Sequence, residues 1–192
     1  MQHSSKMNTS DQLMLTAIDL MSEKGYNGVS TKEIAEKAGF SEKTLFRHFG
    51  NKRNILATAF NRFHYGPEMD SIFFDQIKWN LKADLQLISA TYQGNMDRNR
   101  KLIKISQKME TDEHNELKKL THDYPRQLKK YLTQYFSEMI RQKKVIQTDP
   151  EIQARMFLVM NYGAFMHGLE TSLPEKDFIS ESVQLFTRGL SP

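Results

Sequence analysis

The stretch Ser30–Lys52, STKEIAEKAGFSEKTLFRHFGNK, decides how this chain is read. Ser30 followed three residues later by Glu33 is a capping box, in which hydroxyl and carboxylate satisfy free backbone N–H groups at a helix start. Ile34, Ala35 and Ala38 then fall on one apolar face. Gly39 ends that helix, because glycine alone takes a left-handed backbone cheaply. Ser41 caps a second helix whose Leu45 and Phe49, four residues apart, point inward together. Gly50 stops it and Asn51 caps the next helix. Two short helices joined by a tight turn make a helix-turn-helix over residues 30–50.

The outward side of the second helix carries Glu42, Lys43, Thr44, Arg47 and His48. A helix lying in a major groove needs such a side, with donors for base edges and cations for phosphates. A solvated helical hairpin in any all-α protein gives the same spacing.

Three segments carry a family resemblance: AIDLMSEKGY from Ala17, STKEIAEKAGF from Ser30 and TLFRHFGNK from Thr44. In order and spacing, residues 13–56 resemble the DNA-binding domain of the TetR family of bacterial transcriptional regulators. The resemblance implies a three-helix, homeodomain-like head. Thr31 and Lys32 open the first hairpin helix, where the family places phosphate and sometimes base contacts. Ser41, Glu42, Lys43 and Thr44 begin the recognition helix. Phe46 stands where tyrosine is usual, so one phosphate bond is lost and the ring packs on sugar or a thymine methyl. Arg47 stands where an aromatic is frequent, and either pairs with guanine or holds a phosphate. His48 and Lys52 match positions that grip phosphate.

Composition agrees with a helical, nucleic-acid-binding chain. The 192 residues carry 39% apolar residues, a net charge of +4 and no cysteine, so disulfides and thiolate chemistry are excluded. The sequence pI is about 9.1, which fits DNA without requiring it. No apolar run nears the roughly 20 residues that span a bilayer. Residues 1–10 are polar and lack the core of a signal peptide. A cytoplasmic protein with no membrane partner is expected.

Outside the hairpin the apolar residues recur at helical spacing. Ser10 is read as the cap of a first helix reaching Lys24, buried through Leu13, Met14, Ala17, Ile18 and Met21. Residues 51–64 form a linking helix, and Gly66-Pro67 marks the boundary between a DNA-binding domain, 1–65, and a ligand-binding and dimerisation domain, 66–192. Trp79 to Tyr92 forms a helix punctuated by Gly94-Asn95, and Leu102 to Met109 another. Tyr124-Pro125 opens a long amphipathic helix. Asp149-Pro150 and Pro174 begin the last two, apolar over a wider arc than one partner layer needs. A second copy is the expected cover, through Met156, Met160, Gly163, His167, Ile179, Val183, Phe186 and Leu190.

No enzyme constellation is found. The six histidines form no H-x-x-x-H pair, and phosphate loops, dinucleotide fingerprints and G-x-S-x-G are absent. No metal site, cofactor or catalytic residue is expected. Phe63, Trp79, Tyr92, Met109, Tyr131, Tyr135, Phe136, Phe157 and Met160 are candidate linings of an apolar pocket with tyrosine hydroxyls as anchors. With the family resemblance, the expectation is an all-α homodimeric regulator, most often a repressor, on a palindromic operator. A small hydrophobic or amphipathic inducer releases it. The alternatives are the same fold answering to a protein partner, a helical enzyme, or a basic adaptor.

Overall fold

The computed structural model describes residues 7–63, 66–109, 115–167 and 175–192, with backbone alone at 115–123, 167 and 175–177. Among the described residues the regular structure is helical throughout, with no strand. The chain divides into two compact units. One holds Met1–His64 with Asn99–His122, the other Tyr65–Arg98 with Asp123–Pro192.

The first unit contains α1 (Thr9–Lys24), α2 (Thr31–Lys37), α3 (Glu42–Phe49) and α4 (Lys52–Phe63), and later α7 (Arg100–Lys108). Helix α1 is capped by Asn8, whose Oδ1 accepts from the Asp11 N–H at 2.8 Å, so it starts before the expected Ser10. Its stripe Leu13, Met14, Ala17, Ile18 and Met21 is buried as expected. With Ile34, Leu45, Ile55 and Leu56 it forms a single core. Fully burying one such side chain contributes about 1.5–3 kcal/mol. Leu102, Ile105 and Met109 enter the same core. The reading of 66–192 as one domain does not anticipate this. At the surface the Lys101 ammonium of α7 meets the Asp19 carboxylate of α1 at 2.7 Å.

The second unit holds α5 (Gly66–Ser71), a π-helical turn (Ile72–Gln76), α6 (Leu81–Arg98), α8 (Asn115–Arg141) from residue 123 on, α9 (Pro150–His167) and α10 (Glu175–Leu190). Several expected punctuation marks are overridden. Gly66-Pro67 begins α5 instead of forming a plain break. Gly94-Asn95 lies inside α6, where Asn95 is buried. Pro125 sits within α8, which starts ten residues earlier than read, at the cost of one i→i−4 bond. Trp79 is not helical but turns left-handed at φ 57° just before α6. Asp149 caps α9 as expected, accepting from the Glu151 and Ile152 N–H groups at 2.8 and 3.2 Å. Pro174 lies outside the described residues. In the core, Phe186 of α10 packs between Phe136 and Phe157, with centroids 6.1 and 5.7 Å away.

Candidate nucleic-acid interface

The helix-turn-helix is built from caps at short range. The Ser30 hydroxyl accepts from the Glu33 N–H at 3.1 Å, and Ser41 from the Thr44 N–H at 3.2 Å. Between them Gly39, at φ 79°, closes α2, with the Phe40 N–H donating to the Ala35 carbonyl at 2.9 Å. Asn51 caps α4 through the Asn54 N–H at 2.8 Å. The Glu33 carboxylate turns to Lys24, at 2.5 Å. Lys24 first, and the Ser30 backbone as a lesser cause, hold it below the ordinary carboxylate range. The capping box therefore also ties α2 to the end of α1.

Three of the expected DNA contacts, Thr31, Glu42 and Lys52, bond across the head. The Thr31 hydroxyl donates to the Glu42 carboxylate at 2.6 Å and braces α2 against the start of α3. The Lys52 ammonium donates to the carbonyls of Tyr26 and Val29 at 2.7 and 2.8 Å and lies 4.2 Å from the Tyr26 ring centroid. Burial lowers its pKa below the ordinary lysine value. Ser41 and Thr44 share a hydroxyl contact of 2.9 Å at the helix start.

What remains facing outward is a compact set. Lys43, Phe46, Arg47 and His48 of α3 are exposed, and so is Lys32 of α2. Phe46 is 46% exposed, unusual for an aromatic in a core-packed helix, while Leu45 and Phe49 on the opposite side are buried. At the far end of the head Arg62 pairs with Asp11. The α3 face thus presents two cations, an imidazole and an apolar ring from a helix whose other side is pinned.

The remaining expected site residues are scattered. Phe63 packs on the core of the first unit, and Met109 lies within it, lining a groove of about 290 Å³ with residues 23–28 and Lys108. Trp79, Tyr92, Tyr131, Tyr135, Phe136, Phe157 and Met160 belong to the second unit. Trp79 stacks on Tyr135 with centroids 5.7 Å apart and planes 11° apart. Tyr92 is buried, and that burial raises its phenol pKa far above the ordinary value, with Tyr162 adding to it. Phe136 and Phe157 are fully buried core.

The residues expected at the dimer surface divide as well. Ile179, Val183 and Leu190 are buried within the protomer, and Phe186 stands between two core phenylalanines. Met156 is exposed, and the His167 side chain lies outside the described residues. The exposed apolar row is Ile152, Met156, Val159 and Tyr162 on α9, with Leu185 on α10. In the single chain the α10 stripe faces inward, and among the described residues of α10 Leu185 is the exposed large apolar side chain.

Comparison with known proteins agrees with the head geometry. Residues 13–59 match the family model described as bacterial regulatory proteins, tetR family. An uncharacterised helix-turn-helix transcriptional regulator of Bacillus subtilis, YvkB, is 31% identical over 189 residues, 95% of this chain and 97% of that one. The chain belongs to the TetR family. Its fold is shared with NalD, described as the secondary repressor of the MexAB-OprM multidrug efflux pump in Pseudomonas aeruginosa. That crystal structure superposes with a TM-score of 0.77 at 21% identity, covering 95% of this chain and 96% of NalD. SmeT, solved as its triclosan complex, gives a TM-score of 0.72 at 18% identity over 96% of this chain and 92% of SmeT. This TetR-family chain is accordingly a transcriptional regulator with an N-terminal helix-turn-helix and a helical C-terminal domain. No described helix is long and apolar enough to cross a membrane.

Proposed function

We propose that the protein is a homodimeric repressor that binds a palindromic operator and leaves it when a small apolar or amphipathic ligand occupies its second unit. The observation that carries the DNA part is the exposed set Lys43, Phe46, Arg47 and His48 on a helix whose other face is fixed. Two heads related by a two-fold axis meet successive major grooves about 34 Å apart. The apolar row Ile152, Met156, Val159 and Tyr162, exposed in the single chain, is the surface a second copy covers. The complex of SmeT with triclosan supports a small-molecule ligand, and so does the aromatic content of the second unit. Such a ligand shifts the DNA-binding equilibrium only by its differential affinity for the two states.

The test is titration of labelled operator duplex at several salt concentrations. Arg47→Ala should cost roughly 1–3 kcal/mol in operator affinity and blur sequence preference if Arg47 reads a base. Lys43→Ala should weaken all duplexes about equally and reduce the salt slope. Unchanged affinity in the double variant rejects the docking of α3.

A further inference from the structure

The second unit holds an aromatic and acidic cluster that the pocket reading did not single out as a group. Tyr131 of α8 lies against two consecutive rings from the π-helical turn. Phe73 is 5.1 Å away, tilted by 36°, and Phe74 is 5.7 Å away, edge-on at 77°. The wider π-helical turn brings neighbouring residues onto one partner, and such turns often mark functional positions. Phe74 is 72% exposed, the most exposed large apolar side chain among the described residues.

At the hydroxyl edge of the Tyr131 ring stands a carboxylate. The Tyr131 hydroxyl donates to Asp70 Oδ1 at 2.7 Å, and Gln127 Nε2 donates to the same oxygen at 3.1 Å and to the Tyr131 oxygen at 2.8 Å. Every one of these donors is neutral. Among the described residues no lysine, arginine or histidine comes within ion-pair distance of Asp70, and its Oδ2 accepts no hydrogen bond. The charge is positioned and solvated on one side but not compensated. One helical turn along α8, Tyr135 repeats the pattern. Its hydroxyl donates to Asp84 at 3.0 Å and its ring stacks on Trp79.

Negative ring faces with a nearby uncompensated carboxylate select for a cation. An acyl chain would desolvate Asp70 without neutralising it, and an anion would be repelled. A bare metal ion fits poorly, because no described cluster of three or more His, Cys, Asp or Glu residues exists. A weakly hydrated organic cation gains from the ring faces and from the carboxylate together. We propose that Asp70, Phe73, Phe74, Gln127 and Tyr131 form a binding site for a lipophilic organic cation, of the quaternary ammonium or phosphonium type. This sharpens the ligand class and rests on the reading of the second unit as ligand-binding.

The probe is tetraphenylphosphonium, with tetraphenylborate as an anion of the same shape. Trp79 is the one tryptophan of the chain, so its fluorescence reports binding beside the site, and calorimetry gives the affinity. The full chain should bind the cation saturably, and the anion at least about ten-fold more weakly. Asp70→Asn keeps the shape and should weaken the cation about ten-fold while leaving the anion no weaker. Phe74→Ala, at an exposed position that leaves the fold intact, should weaken the cation severalfold, and Phe74→Trp should retain it. Equal binding of the two ions, cation affinity unchanged in Asp70→Asn and Phe74→Ala, or no cation binding at millimolar concentration overturns the site. Operator release is measured separately. Release by a neutral amphiphile without cation binding sinks the site and keeps the regulator reading. Cation binding with the operator still held keeps the site and removes the ligand-release reading.

Discussion

The head and the second unit are both helical, yet polar groups hold them together at very different ranges. In the head each helix start is set by a bond three residues along the chain, Asn8 with Asp11, Ser30 with Glu33, Ser41 with Thr44 and Asn51 with Asn54, and longer ties such as Lys52 to the 26–29 loop and Arg62 to Asp11 brace the packed helices. In the second unit the long ties run 51 residues from Tyr135 to Asp84, 61 from Tyr131 to Asp70 and 68 from Gln93 to Asn161. A three-residue tie is fixed by local geometry and holds wherever the helix forms. A sixty-residue tie exists only after the helices have packed. Short-range ties suit a reading head, whose α3 must project side chains from a rigid frame. Long-range ties make the second unit depend on the packing of its helices.

The strongest way to break this comparison is to cut a long-range tie. Asp84 is 1% exposed and accepts from the Lys78 and Asn80 N–H groups, each at 2.9 Å, and from the Tyr135 hydroxyl. These bonds hold the turn in which Trp79 takes its left-handed backbone, with Lys144 bonding the Trp79 carbonyl at 2.9 Å. Asp84→Ala leaves three donors without their acceptor. It should cost about 3 kcal/mol or more of unfolding free energy, read from urea denaturation. Asp84→Asn, keeping part of the acceptor capacity, should cost less. A loss under about 1 kcal/mol for the alanine variant means that apolar packing alone holds the second unit.

A smaller effect is expected at Lys52, whose bonds to the 26–29 loop are a long-range polar tie within the head. The family resemblance assigns it to phosphate. Its ammonium joins the carbonyls of that loop to α4. Lys52→Met keeps the stem and removes both bonds, which should destabilise the head by about 1.5–3 kcal/mol. The expected signature is lowered thermal stability with an unchanged salt slope of operator binding. A flatter slope at unchanged stability restores the phosphate role and shows that the loop holds itself.

The same difference in range decides which features were legible in the sequence. Within the helix-turn-helix the caps, the stops and the inward pair Leu45 and Phe49 were readable, because each depends on residues within one turn, while at α1 Ser10 was read where Asn8 is the cap. Of the outward set read on α3, Lys43, Arg47 and His48 are exposed, while Glu42 and Thr44 are half-buried and Phe46 faces out in their place. Several features of the second unit were not readable. Gly94-Asn95 reads as a stop, but burial of Tyr92, Gln93, Asn95 and Met96 carries α6 through it. Pro125 reads as a start, but α8 extends on both sides. On α10, Val183 and Leu185 are both apolar, and only packing shows that the first is buried and the second exposed. Asp70 and Asp84 gave no signal, since a lone aspartate on a helix reads as surface until its tyrosine is found sixty or fifty residues away.

The smallest effect tests whether a short-range tie matters in the second unit at all. Glu138 and Arg141 are three residues apart near the end of α8, a pair the sequence places on one helix face. The Arg141 guanidinium meets both carboxylate oxygens, at 2.5 and 2.7 Å, and Gln142 adds a bond at 2.6 Å. Arg141 first, then Gln142, pull the Glu138 pKa down to about 2. The folded-state value lies below the unfolded one, so the pair stabilises above the ordinary glutamate range. That contribution is lost as pH falls from about 4.5 through about 2. The arginine is 74% exposed, and solvent screening leaves such a pair with little net effect on stability. Glu138→Gln should therefore change the unfolding midpoint barely at neutral pH, with even that difference closing in acid. Nuclear magnetic resonance of the Glu138 carboxyl carbon across the acid range should still show its low titration point. Low titration with negligible stability change is the pattern of a local surface tie. A loss in Glu138→Gln as large as that in Asp84→Asn means that the end of α8 is held at short range, and the contrast between the two units then fails where it was drawn most sharply.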